Sequence, residues 1–182
     1  MPFIPTSIPD LFVFEPKVFE DERGYFFESF SEQQFEAAGL DYHFVQDNEA
    51  YSQRGVIRGL HYQIPPFGQA KLVRVIVGAV LDVVVDIRPG SPTYGQSFSI
   101  ELSGDNKKQL LVPRGFAHGY AVLSDEAIFS YKCDNFYQKS AEGGLLHCDP
   151  QLKINWRIEQ SDAIVSEKDQ ILPILGQHLP YE

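Results

Sequence analysis

The sequence carries only two cysteines, Cys133 and Cys148. Their spacing is neither CxxC nor that of zinc ligands, so two reduced thiols are expected rather than a disulfide framework. Runs of lysine or arginine are absent: 15 basic residues stand against 25 acidic ones, for a formal charge of −10. A nucleic-acid-binding surface is therefore not expected. Any anionic ligand would need a local cluster of cations acting against an unfavourable overall field. No apolar run is long enough to span a bilayer, because the stretch from Leu72 to Ile87 is interrupted by Arg74, Gly78 and Asp82. The segment Met1-Pro2-Phe3-Ile4-Pro5-Thr6 has neither the basic nor the apolar part of a signal peptide. These absences predict a soluble cytoplasmic protein with no membrane partner. GxSxG, a Gly-rich phosphate loop and GxGxxG are also missing, which leaves nucleophile and redox-cofactor chemistry unsupported.

What is present points to strands. Hydrophobic residues make up 43% of the chain, enough for a real core, and 14 Phe and 9 Tyr accompany many Val and Ile. One helix is expected over Ser31–Gly39, with Ser31 as N-cap, Gln34 at the capping-box position and Gly39 at the end. Between residues 56 and 133 short strands alternate with turns. Leu72–Val77 and Val80–Ile87 flank Gly78-Ala79 as a hairpin. Ser97–Leu102, Leu110–Pro113, Gly119–Leu123 and Ala127–Cys133 continue the pattern. Ser166-Glu167-Lys168-Asp169 starts a short helix that Pro173 closes. The expectation is one mainly β domain over residues 1–182, a jelly roll with small flanking helices, an N-terminal arm and a C-terminal helical segment.

Of five histidines, His43, His147 and His178 sit in polar or loop-like contexts that suggest surface or hydrogen-bonded roles. His61 and His118 are embedded in strand-like sequence, each beside a glycine and near an arginine (Arg58-Gly59-Leu60-His61 and Arg114-Gly115-Phe116-Ala117-His118-Gly119). A lone histidine in such a setting is more often a satisfied core residue. Two in matching settings bring a catalytic reading level with that one. Metal-binding cupins usually present two histidines alternating on one strand, but the residues two beyond His61 and His118 are Gln63 and Tyr120. Metal is therefore disfavoured. Lys71 opens an apolar run that also contains Arg74, and Arg58 precedes Gly59; a buried cation in such a place must be paired or face a cavity. An edge-strand guard against aggregation is favoured for Arg74, whereas Lys71 is open to either reading. Asp21–Glu28 reads as a turn and a strand with surface charges.

The order and spacing of several segments resemble the dTDP-4-dehydrorhamnose 3,5-epimerase family. They include Asp21-Glu22-Arg23-Gly24-Tyr25-Phe26, Phe44-Val45-Gln46-Asp47-Asn48, Arg58-Gly59-Leu60-His61-Tyr62-Gln63 and Gln69-Ala70-Lys71-Leu72-Val73-Arg74. Asp82–Arg88, Gly90–Gly95, Pro113–Gly119 and Asp149-Pro150 complete the likeness, while Trp156-Arg157 stands where the family commonly has Trp-Pro. The resemblance implies a homodimeric, cupin-like jelly roll (a double-stranded β-helix) that uses no metal or cofactor. By the same resemblance His61 is the base, Asp169 orients it, Tyr131 is the acid across the sugar and Lys71 stabilises the enolate oxygen. Substrate contacts then fall to Arg23, Phe26, Glu28, Gln46, Asp47, Asn48, Arg58, His118, Tyr137, Glu142 and Lys168.

The implied substrate is dTDP-4-dehydro-6-deoxy-D-glucose, epimerised at C3 and C5 on the way to dTDP-L-rhamnose. Its keto group acidifies both carbons, and a cation where negative charge develops lowers the barrier. Neutral imidazole is available near its ordinary pKa of about 6.5. Two alternatives stay within the fold: a C3-only epimerase and a 3,4-ketoisomerase of a related dTDP-sugar. A non-catalytic nucleotide-sugar binding module is the third. One point conflicts with strand alternation, which sends Arg58 and His61 to opposite faces. A bulge at Gly59, or an Arg58 acting from a partner subunit or from a strand end, would reconcile them.

Overall fold

Alternating and fully apolar strands account for most of the architecture. The computed structural model describes residues 2–182, so Met1, the first residue of the N-terminal segment discussed above, lies outside the described residues. One sheet contains β1 (Phe3–Pro5), β2 (Phe12–Phe14), β5 (Gln46–Gln53), β7 (Lys71–Val77), β10 (Gln109–Val112) and β12 (Glu126–Cys133). Its order is β1-β2-β10-β7-β12-β5. The facing sheet contains β6 (Val56–Gln63), β8 (Ala79–Asp86), β9 (Ser97–Ser103), β11 (Phe116–Val122) and β13 (Glu142–Gly144), in the order β13-β6-β11-β8-β9. A short β14 (Ile164–Val165) adds to β6 in parallel; every other pairing is antiparallel. A separate hairpin is formed by β3 (Phe19–Asp21) and β4 (Gly24–Phe26). Two packed antiparallel sheets of this kind make the double-stranded β-helix of a cupin-like jelly roll.

The core lies between the sheets, where Val73, Val75, Leu110 and Phe129 meet Val80, Val84, Phe116, Tyr120 and Val122. The second sheet is also covered on its outer face, by Leu145, Leu152 and Trp156 against Leu81, Val83, Val85 and Ala121. That double coverage explains why β8 is an almost unbroken apolar run rather than an alternating one. The outer face of the first sheet is covered by α1 (Glu32–Ala37), whose Phe35 packs on Leu72 and Leu111. Burying Phe35 fully contributes on the order of 2–3 kcal/mol. No helix among the described residues is long and apolar enough to cross a membrane.

Four local expectations are revised. Leu72–Val77 and Val80–Ile87 do not pair: β7 bonds to β10 and β12, β8 to β9 and β11, and Gly78 carries the chain from one sheet to the other. Period-two apolar patterning is the same whichever sheet a strand joins, so the sequence could not tell a corner from a hairpin. Arg74 is not an edge guard, because β7 is an interior strand; its guanidinium lies 5.8 Å from the centre of the Phe27 ring. Ser31 is the N-cap of α1, but its hydroxyl makes no capping hydrogen bond. Gln34, expected to close the capping box, instead donates to Glu28 at 2.8 Å. His147 is not a satisfied surface residue, since its Nδ1 is buried without a partner. At the C-terminal end α2 (Glu167–Gln170) starts at Ser166 as expected, and Ser166 Oγ accepts the Asp169 N–H at 3.1 Å. Arg157 has a φ of +57°, a conformation that a proline at this position could not adopt.

Candidate active site

The site is organised by an irregularity in β6. His118 lies opposite His61 and Tyr120 opposite Arg58, so Gly59 and Leu60 together face the single residue Gly119. This two-against-one bulge turns Arg58 and His61 to the same side of the sheet, and both line one cavity. The conflict between strand alternation and the implied roles is thereby removed. Gly59 is required there: its φ is +115°, and a Cβ would stand 2.6 Å from Gly119 Cα and 2.7 Å from His118 O.

His61 Nε2 lies 2.7 Å from Asp169 Oδ1, and Asp169 Oδ2 accepts the Gly59 N–H at 3.3 Å. A carboxylate accepts only, so Nε2 carries the proton and Nδ1 is left with its lone pair. Burial pushes the Asp169 carboxyl up, but hydrogen bonds from His61, Gly59 and Ser166 and the nearby imidazole outweigh it and hold it below the ordinary carboxylate range. Parallel pairing of β14 with Val56-Ile57 sets the register that delivers α2, and with it Asp169, to His61.

The cavity has a volume of about 540 Å³ and lies between the sheets. His61 projects from one wall, on β6, and Tyr131 from the other, on β12. Burial raises the Tyr131 phenol pKa, so it retains its proton at neutral pH. Lys71 sits at the start of β7 with its ammonium 5.9 Å from the Tyr131 ring centre. Burial pushes its pKa down, against the upward pull of Cys133, Asp82 and Glu142. Lys71 makes no ion pair among the described residues. A cation facing a cavity without a counter-ion is suited to receive negative charge from a ligand. His118 donates from Nε2 to Asp82 at 2.9 Å, both residues being buried. In the sequence Asp82 stood out as a charge inside an apolar run and as the start of one family-like segment, with nothing to pair it with His118.

An annex of about 370 Å³ shares His61, Lys71 and Tyr131 with the main cavity, and its further lining includes Gln46, Asn48, Gln63, Tyr137 and Glu142. Glu142 accepts from Lys168 at 2.6 Å and from the Tyr137 hydroxyl at 3.1 Å. Burial raises the Glu142 pKa, yet these partners bring it below its ordinary value. Arg58 donates from Nε to the buried Ser52 hydroxyl at 3.1 Å. The remaining residues are not brought in. Asp47 alternates to the outer face of its sheet and pairs with Lys132 at 2.9 Å. Arg23 bonds to its neighbour Asp21, Phe26 is 66% exposed and Glu28 accepts from Gln34. None of these three lines either cavity.

A family model described as dTDP-4-dehydrorhamnose 3,5-epimerase matches residues 5–177. A dTDP-4-dehydrorhamnose 3,5-epimerase of Shigella flexneri is 54% identical over 170 residues, covering 93% of each chain. The chain belongs to the dTDP-4-dehydrorhamnose 3,5-epimerase family. A crystal structure of a family member from Elizabethkingia anophelis superposes with a TM-score of 0.92 at 52% identity over 95% of each chain. Another, from Legionella pneumophila, was solved in complex with dTDP-4-keto-L-rhamnose; its TM-score is 0.92 at 47% identity over 96% of this chain and 93% of that one. With its family fold, this chain presents an imidazole–carboxylate pair, a protonated phenol and an unpaired ammonium around one cavity. Such a set can remove a proton beside a carbonyl, hold the resulting oxyanion and return a proton.

Proposed function

We propose that the chain epimerises dTDP-4-dehydro-6-deoxy-D-glucose at C3 and C5, giving dTDP-4-dehydro-L-rhamnose for dTDP-L-rhamnose biosynthesis. The observation that carries this reading is the 2.7 Å His61–Asp169 pair facing Tyr131 across a cavity that also holds an unpaired Lys71. His61 Nδ1 takes the proton from carbon, and Asp169 stabilises the imidazolium that forms, as the acid does in a Ser-His-Asp triad. The electron pair moves onto the C4 oxygen, and Lys71 opposes the developing charge. Tyr131 then delivers a proton from the opposite face, which inverts the centre. That His61 and Tyr131 stand on facing sheets supports this division of labour. Every step is a proton transfer, and no cofactor enters the scheme. Arg58 and Lys168 supply local positive charge for the diphosphate of an anionic substrate in an acidic protein. Gln46, Asn48, Tyr137, Glu142 and His118 line the walls around the sugar. Asp47, whose side chain is on the far face, has no side-chain role in this scheme.

The reading includes a homodimer. Arg23, Phe26 and Glu28 lie on or just after the β3–β4 hairpin, where Phe19, Tyr25 and Phe26 are 52%, 56% and 66% exposed. For these residues to reach nucleotide, a second copy of the chain must bring its hairpin to this cavity. Mixing inactive Arg23→Ala and His61→Ala proteins should then restore activity, because one site of each mixed dimer is intact. No restoration would return Arg23 to its own subunit. Cys133 and Cys148 are both unpaired, in keeping with a reducing cytoplasm.

The deciding experiment is solvent exchange. Wild-type protein in D₂O, given the keto-sugar nucleotide and no added metal, should incorporate deuterium at C3 and at C5, and His61→Ala should abolish both while still binding dTDP. Exchange at C3 alone would make the chain a 3-epimerase, and exchange at neither carbon would overturn the proposal.

A further inference from the structure

Gln63 occupies the place on β6, two residues beyond His61, where a metal-binding cupin would carry a second histidine. Gln63 is 5% exposed, and the hydrogen bonds of its amide all go to backbone groups of two loops. Oε1 accepts the Gln138 N–H at 2.7 Å, while Nε2 donates to the carbonyls of Phe67 at 2.7 Å and Phe136 at 3.2 Å. From the facing sheet, Gln46 Oε1 accepts the Tyr137 N–H at 3.3 Å. Three consecutive residues of this loop, Phe136, Tyr137 and Gln138, are thus held by glutamine side chains rather than by a strand ladder. Burial cannot hold them, since Phe136 is 64% and Tyr137 55% exposed. Yet Tyr137 forms part of the annex wall beside His61, Lys71 and Tyr131, and its hydroxyl reaches Glu142 at 3.1 Å.

We propose that Gln63 is a positioning residue, whose buried amide clamps the 136–138 loop and thereby sets Tyr137 against the sugar end of the site. This rests on the site reading given above. The physical case is that an exposed aromatic on an irregular loop has no apolar force fixing its place. Loss of a buried amide would leave two carbonyls and an N–H without partners, and the loop would open to water to satisfy them. Tyr137 would go with it.

The test is a double-mutant cycle combined with amide exchange. Gln63→Met keeps the approximate shape and removes all three hydrogen bonds. Gln63→Met and Tyr137→Ala should each lower kcat/KM on the keto-sugar nucleotide ~10-fold, and the double variant also ~10-fold rather than the ~100-fold of independent sites. Without substrate, the Gln138 amide should lose protection in Gln63→Met while the β6 amides keep theirs. Gln63→Glu, which retains the acceptor for Gln138 N–H, should keep that amide protected, and Gln63→Leu, which also removes all three hydrogen bonds, carries the same cycle if Gln63→Met does not fold. Unchanged Gln138 exchange in Gln63→Met would overturn the clamp, and additive kinetics would overturn its link to Tyr137. The exchange measurement needs no turnover, so failure of the assigned reaction is read separately, from the wild-type protein.

Discussion

Replacing Asp169 by Asn alters the proposed base with almost no change of shape. Oδ1 accepts from His61 at 2.7 Å and Oδ2 from the Gly59 N–H at 3.3 Å, so an amide must give up one of two acceptors. If its oxygen stays with Gly59, its NH₂ meets His61 Nε2, which must then accept; the imidazole proton moves to Nδ1 and the base is blocked. If its oxygen stays with His61, the tautomer survives, but two N–H donors oppose each other at Gly59 and the carboxylate charge is gone. At a separation of about 4 Å between charge centres and an effective dielectric of about 20, imidazolium and carboxylate attract by about 4 kcal/mol. The His61 side chain is 33% exposed, so part of that is screened. The expected loss in kcat is therefore ~10²–10³-fold. Deuterium uptake at C3 and C5, followed by NMR in D₂O, measures it directly, and dTDP binding measured by calorimetry should not weaken. An Asn variant within ~3-fold of the wild-type rate would refute the assignment of Asp169, since neither arrangement of the amide preserves both tautomer and charge.

Other expectations follow from the same geometry. Lys71 faces the cavity without a counter-ion, so Lys71→Met should lower exchange by ~10²–10³-fold yet raise stability by about 1 kcal/mol, or ~2–4 °C in Tm. A fall in Tm would show that the ammonium is paired in the free protein. The second concerns acid stability. Burial alone would raise the Asp86 pKa, but hydrogen bonds from Arg88, Ser91 and Thr93 bring it to about 2. The folded state therefore holds this proton less tightly than the unfolded chain. The resulting stabilisation, roughly 2 kcal/mol, is complete above about pH 5 and is lost as pH falls toward 2. Asp86→Asn should lower stability at pH 7 by at least that amount and flatten the acid limb. Denaturant unfolding between pH 2 and 7 would show this, and an unchanged acid limb would refute it.

Much of this protein was legible as one-dimensional pattern. Strand positions from Ser97 to Cys133 follow from apolar runs separated by turn residues, and Ser166 announces α2. The errors share one cause. Gly78 reads the same in a hairpin as at a corner between sheets, and Arg74 the same on an edge strand as on an interior one. Both depend on which strands become neighbours, a long-range property that residue alternation does not encode. Gln34 fitted a capping box and found Glu28 instead, because side-chain partners are decided by proximity in space.

Fold class, family and the residue types needed for proton transfer at carbon are all legible in the order of the residues. A strand-rich pattern allows few architectures, and a series of motifs in fixed order seldom arises by chance. Which of those residues meet is set by the folded chain. The bulge at Gly59 turned Arg58 and His61 to one face, β14 carried Asp169 from the far end of the chain to His61, and the facing sheets set Tyr131 opposite. The same tertiary structure left Asp47 on the outer face and Arg23, Phe26 and Glu28 outside the cavity of their own chain. A side chain's identity states what it can donate or accept. Where it points depends on backbone register, and register is settled by the packing of the whole chain.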